Sequence, residues 1–446
     1  MKENLHISEK SSTFASNFSC KSQKFNVNME FSRKLYLQKL VRADGNGMIK
    51  IVTGIRRCGK SYLLFNIFRN YLLSQGVQED HIIGLALDDR ENKKLLNPDR
   101  LLDYINNHIV KDGKKNYVIL DEVQLVDDFV SVLLSMTHKQ NVETYVSGSN
   151  SKFLSKDVVT EFRGRGWEIR VHPLSFAEYF EGVGGDYRKA LYDYYRYGGL
   201  PHVALLATED EKKQYLQSVF ETTYLKDVIE RNHLRNPEGM RKLIQVLASC
   251  IGSCTNPYNI VNTFMSGEKL AIAPATIENY LEYLQDAFII SEAQRYDVKG
   301  RKYIGSASKY YFEDLGIRNM LINFRQQEDT HIMENVIYNE LCMRGYSVDV
   351  GQVEVWETTP EGKRLRKNLE VDFVVNNPPQ RMYIQSAFVL QDREKTEKEQ
   401  RPLVNIPDHF RKIIILGNDF QRGWIDDEGV EIVSMEDFLL KPNTLD

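Results

Sequence analysis

Val52-Thr53-Gly54-Ile55-Arg56-Arg57-Cys58-Gly59-Lys60-Ser61 has the spacing G-x-x-x-x-G-K-S. An apolar β-type run, Met48-Ile49-Lys50-Ile51-Val52, precedes it, and Tyr62-Leu63-Leu64-Phe65-Asn66-Ile67-Phe68 follows with helical character. Strand, glycine-bearing loop and helix form the setting that a phosphate loop needs. The glycines let the backbone curl so that successive N–H groups point inward at an anion. The N-terminus of the new helix adds positive potential there. In such a loop Lys60 reaches the terminal phosphates and the Ser61 hydroxyl ligates Mg²⁺. The expected binding set is Gly54, Ile55, Arg56, Arg57, Cys58, Gly59, Lys60, Ser61 and Tyr62.

Downstream the chain alternates strand and helix, which predicts a parallel sheet covered by helices. His81–Leu87 reads as a buried strand, and Leu101–Val110 as a helix. Tyr117-Val118-Ile119-Leu120 then runs into Asp121-Glu122. Two carboxylates at the carboxyl end of a strand complement a phosphate loop. Asp121 would organise Mg²⁺ and Glu122 would activate water as general base. A further strand, Val142–Ser147, leads into Gly148-Ser149-Asn150-Ser151. A polar side chain here would stand beside the γ-phosphate, with Ser149 the first choice and Asn150 the second. Arg163 and Arg165 flank Gly164. Such arginines suit a phosphate contact, including one to nucleotide held by a neighbouring subunit.

Together with Pro173-Leu174-Ser175-Phe176 and Tyr197-Gly198-Gly199-Leu200-Pro201, these motifs resemble the AAA+-like (AAA-type) ATPases of prokaryotes. The resemblance covers about 29–440 and is strongest in the first half. It implies an α/β P-loop NTPase core with a five-stranded parallel sheet and a helical lid. It also implies ATP and Mg²⁺ as ligands, hydrolysis of ATP, and an arginine supplied in cis or in trans. ATP-dependent assembly into a homo-oligomer would follow from a trans arginine.

Residues 237–324 resemble a winged helix. Its third helix, Ala273–Leu284, carries Glu278 and Glu282, with Asp286 just beyond, and no Lys or Arg. Those carboxylates would repel a phosphate backbone. The wing, with Arg295, Lys299, Arg301, Lys302 and Lys309, is the better candidate for DNA contact, and a protein partner is the alternative. The last part, 325–446, resembles the restriction-endonuclease-like PD-(D/E)xK fold, with Glu334 and Asp372 in place. Gln385 and Ala387 stand where that fold has an acid and a lysine. A neutral amide binds Mg²⁺ weakly and alanine has no amine to stabilise charge. An inactive nuclease-like unit is therefore expected. The full reading is a disordered tail (1–28), P-loop core (29–180), lid (181–236), winged helix (237–324) and nuclease-like unit (325–446).

The 446-residue length suits two or three domains. A net charge of −4 gives no global drive toward nucleic acid. The cysteines, Cys20, Cys58, Cys250, Cys254 and Cys342, form no C-x-x-C pair. That points away from zinc or a disulfide framework and toward a reducing cytoplasm. No apolar run reaches membrane-spanning length, so no membrane association is expected.

Overall fold

The largely apolar runs of the first part become the strands of one sheet: β1 (Ile49–Thr53), β2 (Ile82–Ala86), β3 (Asn116–Asp121), β4 (Val142–Ser147) and β5 (Gly166–Arg170). Their order is β2-β3-β4-β1-β5, and every neighbouring pair is parallel. This is the expected P-loop NTPase sheet. The computed structural model describes residues 30–148, 162, 164–268, 272–325, 328–359, 362–390, 393–417 and 423–445. The tail 1–28 and the candidates Ser149, Asn150 and Arg163 lie outside the described residues.

β1 and β3 are buried along their whole length. A parallel strand covered on both faces has to be apolar on both. Ile49, Ile51, Val118 and Leu120 pack toward Leu101, Ile105 and Leu133 of the helices Pro98–His108 and Phe129–Met136. Val52, Ile119 and Tyr145 pack on the other side with Leu40 and Phe68. Because all five strands run the same way, their carboxyl ends lie along one edge. Strand order then sets which ends are neighbours: β1 lies between β4 and β5, and β3 lies beyond β4.

Helices Phe176–Val183, Tyr187–Tyr197 and Pro201–Leu205 follow. Next is a continuous helical stretch through Glu209–Val219, Phe220–Leu225 and Lys226–Arg231. Ser175 starts the first of these with a capping box, its side chain accepting the Glu178 N–H while Glu178 accepts the Ser175 N–H. Leu216, Phe220, Tyr224 and Val228 face the core beside the P-loop sheet.

Helices Pro237–Ser249, Pro257–Thr263 and Pro274–Asp286 precede a hairpin, β6 (Ile290–Asp297) and β7 (Lys302–Phe312). The hairpin expected as a wing is not a free flap. β6 pairs in parallel with β8 (Ser347–Thr358). The sheet continues through β9 (Arg364–Asn377), β10 (Gln380–Ala387), β11 (Arg411–Leu416), β12 (Trp424–Ile425) and β13 (Glu431–Ser434). Its order is β12-β13-β11-β10-β9-β8-β6-β7. One sheet thus crosses the boundary drawn at 324/325, because β6 offers β8 an unpaired backbone edge. One face packs on the helix Asp329–Met343 through Met333 and Ile337. The other packs under Leu403 of the helix Arg393–Val404. No helix among the described residues is long and apolar enough to cross a membrane.

Candidate functional site

The loop between β1 and its helix is shaped by two glycines. Gly54 has φ +137°, and a Cβ there would lie 2.0 Å from the Val171 carbonyl oxygen. Gly59 has φ +101° and leads directly into the helix that starts at Lys60. Only glycine adopts such angles without strain. Lys60 is buried, and its ammonium donates to the carbonyls of Gly54 at 2.8 Å and Ile55 at 3.1 Å. Cys58 is packed inside the loop, with its Sγ 3.3 Å from the Val171 carbonyl. Burial pushes its thiol pKa up, which makes it a packing residue rather than a nucleophile.

The carboxyl ends of β3 and β4 complete the site. Asp121 is buried and accepts hydrogen bonds from the Ser147 and Ser61 hydroxyls. Burial pushes its carboxyl pKa up, and those two hydroxyls offset the shift only in part. Ser147 also accepts the Glu122 N–H at 3.2 Å. Its hydroxyl therefore sits between the two carboxylate-bearing residues. Glu122 has left-handed backbone angles, φ 51° and ψ 43°, and its carboxylate accepts the Gln124 amide. Ser61 and Asp121 supply hard oxygen donors facing one another, the donor chemistry that Mg²⁺ takes.

The following helices reach back to the loop. The Tyr224 hydroxyl donates to the Arg56 carbonyl at 2.8 Å, and the Arg56 guanidinium pairs with Asp227. Arg231, one turn beyond Asp227, is electrostatically coupled to Asp227, Arg56 and Glu122. Burial lowers its pKa, opposed by Asp227. Beside the loop, a cavity of about 430 Å³ opens between Phe31, Arg57, Tyr62, Pro201, His202 and Tyr215. Its aromatic and cationic walls suit a nucleobase and its ribose.

The structure therefore brings together Gly54–Tyr62, Asp121 and Glu122, but not Arg165. Ile49 pairs with Gly166, and the Ile49 N–H donates to the Arg165 carbonyl at 2.8 Å. Arg165 lies at the amino end of β1, whereas the phosphate loop leaves its carboxyl end. The strand separates them by roughly 13–16 Å at about 3.3 Å per residue. A cis contact from Arg165 is corrected on that ground. Ser147 completes the site and Arg231 lies within its electrostatic field, and sequence reading missed both. The one local signal for Ser147 is the step from strand into Gly148. Arg231 has none, since a helical stretch carries it there.

Glu334 and Asp372 also come together, around a residue expected to face solvent on the wing. Lys309 is buried, with its Nζ 2.8 Å from Glu334, 2.8 Å from Glu370 and 3.8 Å from Asp372. Lys309 as a DNA-facing cation is therefore corrected, and Arg295 is turned toward Glu370 at 3.8 Å. Burial disfavours the Lys309 ammonium, but the three carboxylates outweigh it and raise its pKa. Burial, reinforced by Glu334, pushes the Asp372 carboxyl pKa up, and Lys309 offsets part of that shift. Gln385 accepts the Asp372 N–H at 3.3 Å, and Ala387 is buried in the apolar face of β10.

A family model described as an AAA domain matches residues 46–180, and a domain of unknown function (DUF8612) matches 188–328. A Haemophilus influenzae protein described as uncharacterized is 31% identical over 415 residues, covering 92% of this chain and 98% of its own length. The chain belongs to the family of that protein. Its first part is an AAA-like P-loop domain. An uncharacterized protein of Methanocaldococcus jannaschii is 27% identical over 410 residues, covering 86% of each chain. A Walker-type ATPase of Pyrococcus abyssi superposes with a TM-score of 0.45 at 16% identity, over 68% of this chain and 98% of that one.

Proposed function

We propose that this protein binds ATP at the Gly54–Tyr62 loop and hydrolyses it with Mg²⁺. The observation that carries the reading is the meeting of Lys60, Ser61, Asp121, Glu122 and Ser147 at one sheet edge. Lys60 exchanges its loop carbonyls for phosphate oxygens. Ser61 and Asp121 hold the metal, which supplies charge neutralisation at the phosphates when bound. Glu122 accepts the proton of a water whose oxygen bonds to the γ-phosphorus, while the bond from that phosphorus to the β–γ bridging oxygen breaks. Ser147 fixes Asp121 and Glu122 relative to each other. Arg231 reaches the same charge field from its own chain, and Arg165 or Arg163 acts on a neighbour's nucleotide in a homo-oligomer.

The free cysteines Cys58, Cys250, Cys254 and Cys342 suit a reducing compartment, the cytoplasm. Residues 237–324 act as a winged-helix-like module whose hairpin is built into the sheet of 325–446, a PD-(D/E)xK-like unit without nuclease activity. The support for inactivity is that Lys309 fills the space between Glu334, Glu370 and Asp372 with its own cation.

A second reading, a nucleotide-gated binding switch with little turnover, is favoured by the Gln124 amide held on the Glu122 carboxylate. Phosphate release and nucleotide binding separate the two. Lys60→Ala abolishes nucleotide binding, whereas Glu122→Gln keeps binding and loses turnover. Phosphate release at background by wild type as well as Glu122→Gln, with nucleotide affinity intact, would replace the hydrolytic reading with the switch.

A further inference from the structure

The end of the β8–β9 hairpin is a cationic surface in a chain whose net charge is −4. Lys363-Arg364-Leu365-Arg366-Lys367 is exposed throughout. Trp356 lies directly across the ladder from Arg366, and Thr358 lies across from Arg364. Directly paired residues, and residues two apart, share a sheet face. The ring of Trp356 therefore stands among guanidinium groups on one face, and it is 64% exposed. An exposed indole face beside cations is open to stacking by a planar ligand.

The turn between β6 and β7 adjoins this hairpin. The Val298 N–H donates to the Gln352 carbonyl at 3.0 Å, and the Lys299 ammonium to the Glu354 carbonyl at 2.6 Å. That contact sets the turn with exposed Lys299, Arg301 and Lys302 beside the β8 segment that leads to Trp356. The cations outnumber their counter-charges among the described residues: Glu354 pairs with Arg366, Glu357 with Lys367 at 3.2 Å and with Arg401, and Asp297 lies across from Lys302, while Lys363 and Arg364 add further positive charge. The helix Pro274–Asp286 instead presents exposed Glu278 and Glu282. A polyanion is thus repelled from that helix and drawn to the hairpin ends.

We propose that the β8–β9 hairpin end, with the β6–β7 turn, binds an unpaired nucleic-acid strand. Arg364, Arg366, Lys299 and Arg301 hold the phosphates, and a base stacks on Trp356. Cations alone fit any polyanion. A flat, exposed aromatic ring among them fits bases whose faces are free, and a duplex keeps those faces stacked on each other.

The test is fluorescence anisotropy of the full-length protein with a labelled mixed-sequence DNA strand of about 20 nucleotides. The same strand as a duplex and a polyglutamate peptide serve as rival ligands. Titrations at about 50 mM and about 200 mM NaCl measure the salt dependence expected of phosphate contacts. Wild type binds the single strand, more weakly at the higher salt. Arg364→Glu combined with Arg366→Glu weakens binding by ~10-fold or more. Trp356→Ala weakens it by roughly fivefold or more and removes the quenching of protein fluorescence by the strand. Nucleotide binding at the P-loop and thermal unfolding stay as in wild type. If the β8–β9 variants fail to fold, Lys299→Glu with Arg301→Glu on the other turn carries the same expectation. Absence of binding at the lower salt, or undiminished binding in these variants, overturns the proposal. Tighter binding of the duplex or of polyglutamate also overturns it, the last by making the surface a docking face for an acidic protein.

Discussion

Glu313 and Asp314 are consecutive and both buried, yet their carboxylates meet opposite kinds of partner. Glu313 accepts the Arg170 guanidinium at 2.9 Å and lies 2.5 Å from His172 Nδ1. Asp314 accepts the N–H groups of Gly199 at 2.8 Å and Ile317 at 3.0 Å. The first contact ties β5 of the P-loop sheet to the C-terminal half. The second ties that half to the segment whose Pro201 lines the cavity beside the phosphate loop.

These partners give the two acids opposite pH signatures. Burial raises the Glu313 carboxyl, but Arg170 and His172 outweigh it and hold the pKa at about 2, below its ordinary 4.5. Glu313 therefore stabilises the fold above about pH 4.5, and the contribution is lost as pH falls toward about 2. Burial dominates at Asp314 and raises it from 3.8 to about 6. Its contribution is complete below about pH 3.8 and is lost as pH rises through about 6. Glu313→Gln leaves half-buried Arg170 without its counter-charge and, with solvent screening the guanidinium, costs about 1–3 kcal/mol near neutral pH. Urea unfolding from acid to neutral pH should show that loss shrinking below about pH 4.5.

Ser147→Ala removes the hydroxyl that donates to Asp121 and accepts from the Glu122 backbone. Turnover should fall roughly 10–100-fold, the usual cost of losing a group that orients a metal-binding carboxylate. Nucleotide affinity should change far less, since Lys60 and the loop amides remain. Single-turnover phosphate release together with a nucleotide-binding titration checks both parts. Unchanged release would remove Ser147 from the site.

Gly54→Ala places a methyl group 2.0 Å from the Val171 carbonyl at a backbone angle of φ +137°. Strain alone should cost at least about 1–3 kcal/mol. The displaced loop should also lose nucleotide affinity. Denaturant unfolding against wild type reports the first effect and equilibrium binding the second. A variant as stable as wild type would contradict the close approach of the loop to Val171, just beyond β5.

Arg165 is too far from its own loop, so its expected role lies across a subunit interface. Arg165→Ala should lose roughly 10³–10⁵ in turnover, as for an arginine that completes a neighbour's site. Mixing it with Glu122→Gln should restore activity, because one variant supplies the arginine and the other the glutamate. Light scattering with and without ATP should show assembly on nucleotide. A monomeric mass with ATP, or no recovery on mixing, would remove Arg165 from the reaction.

The sequence by itself determined the phosphate loop, the Asp121-Glu122 step and the apolar strands that carry them. Each is local: glycine spacing sets a backbone path, and unbroken apolar runs declare strands buried on both faces. The Gln385 and Ala387 departures were legible for the same reason. The tertiary structure alone decided what those segments meet. Strand order put Ser147 between Asp121 and Glu122, and parallel register put Arg165 at the wrong end of β1 for a cis contact. A helical stretch returned Tyr224 and Asp227 to Arg56. Pairing of β6 with β8 turned an expected wing into part of an eight-stranded sheet and buried Lys309 among carboxylates. These contacts join residues far apart in the chain. Their stability comes from burial and from paired charges, quantities that local spacing does not carry.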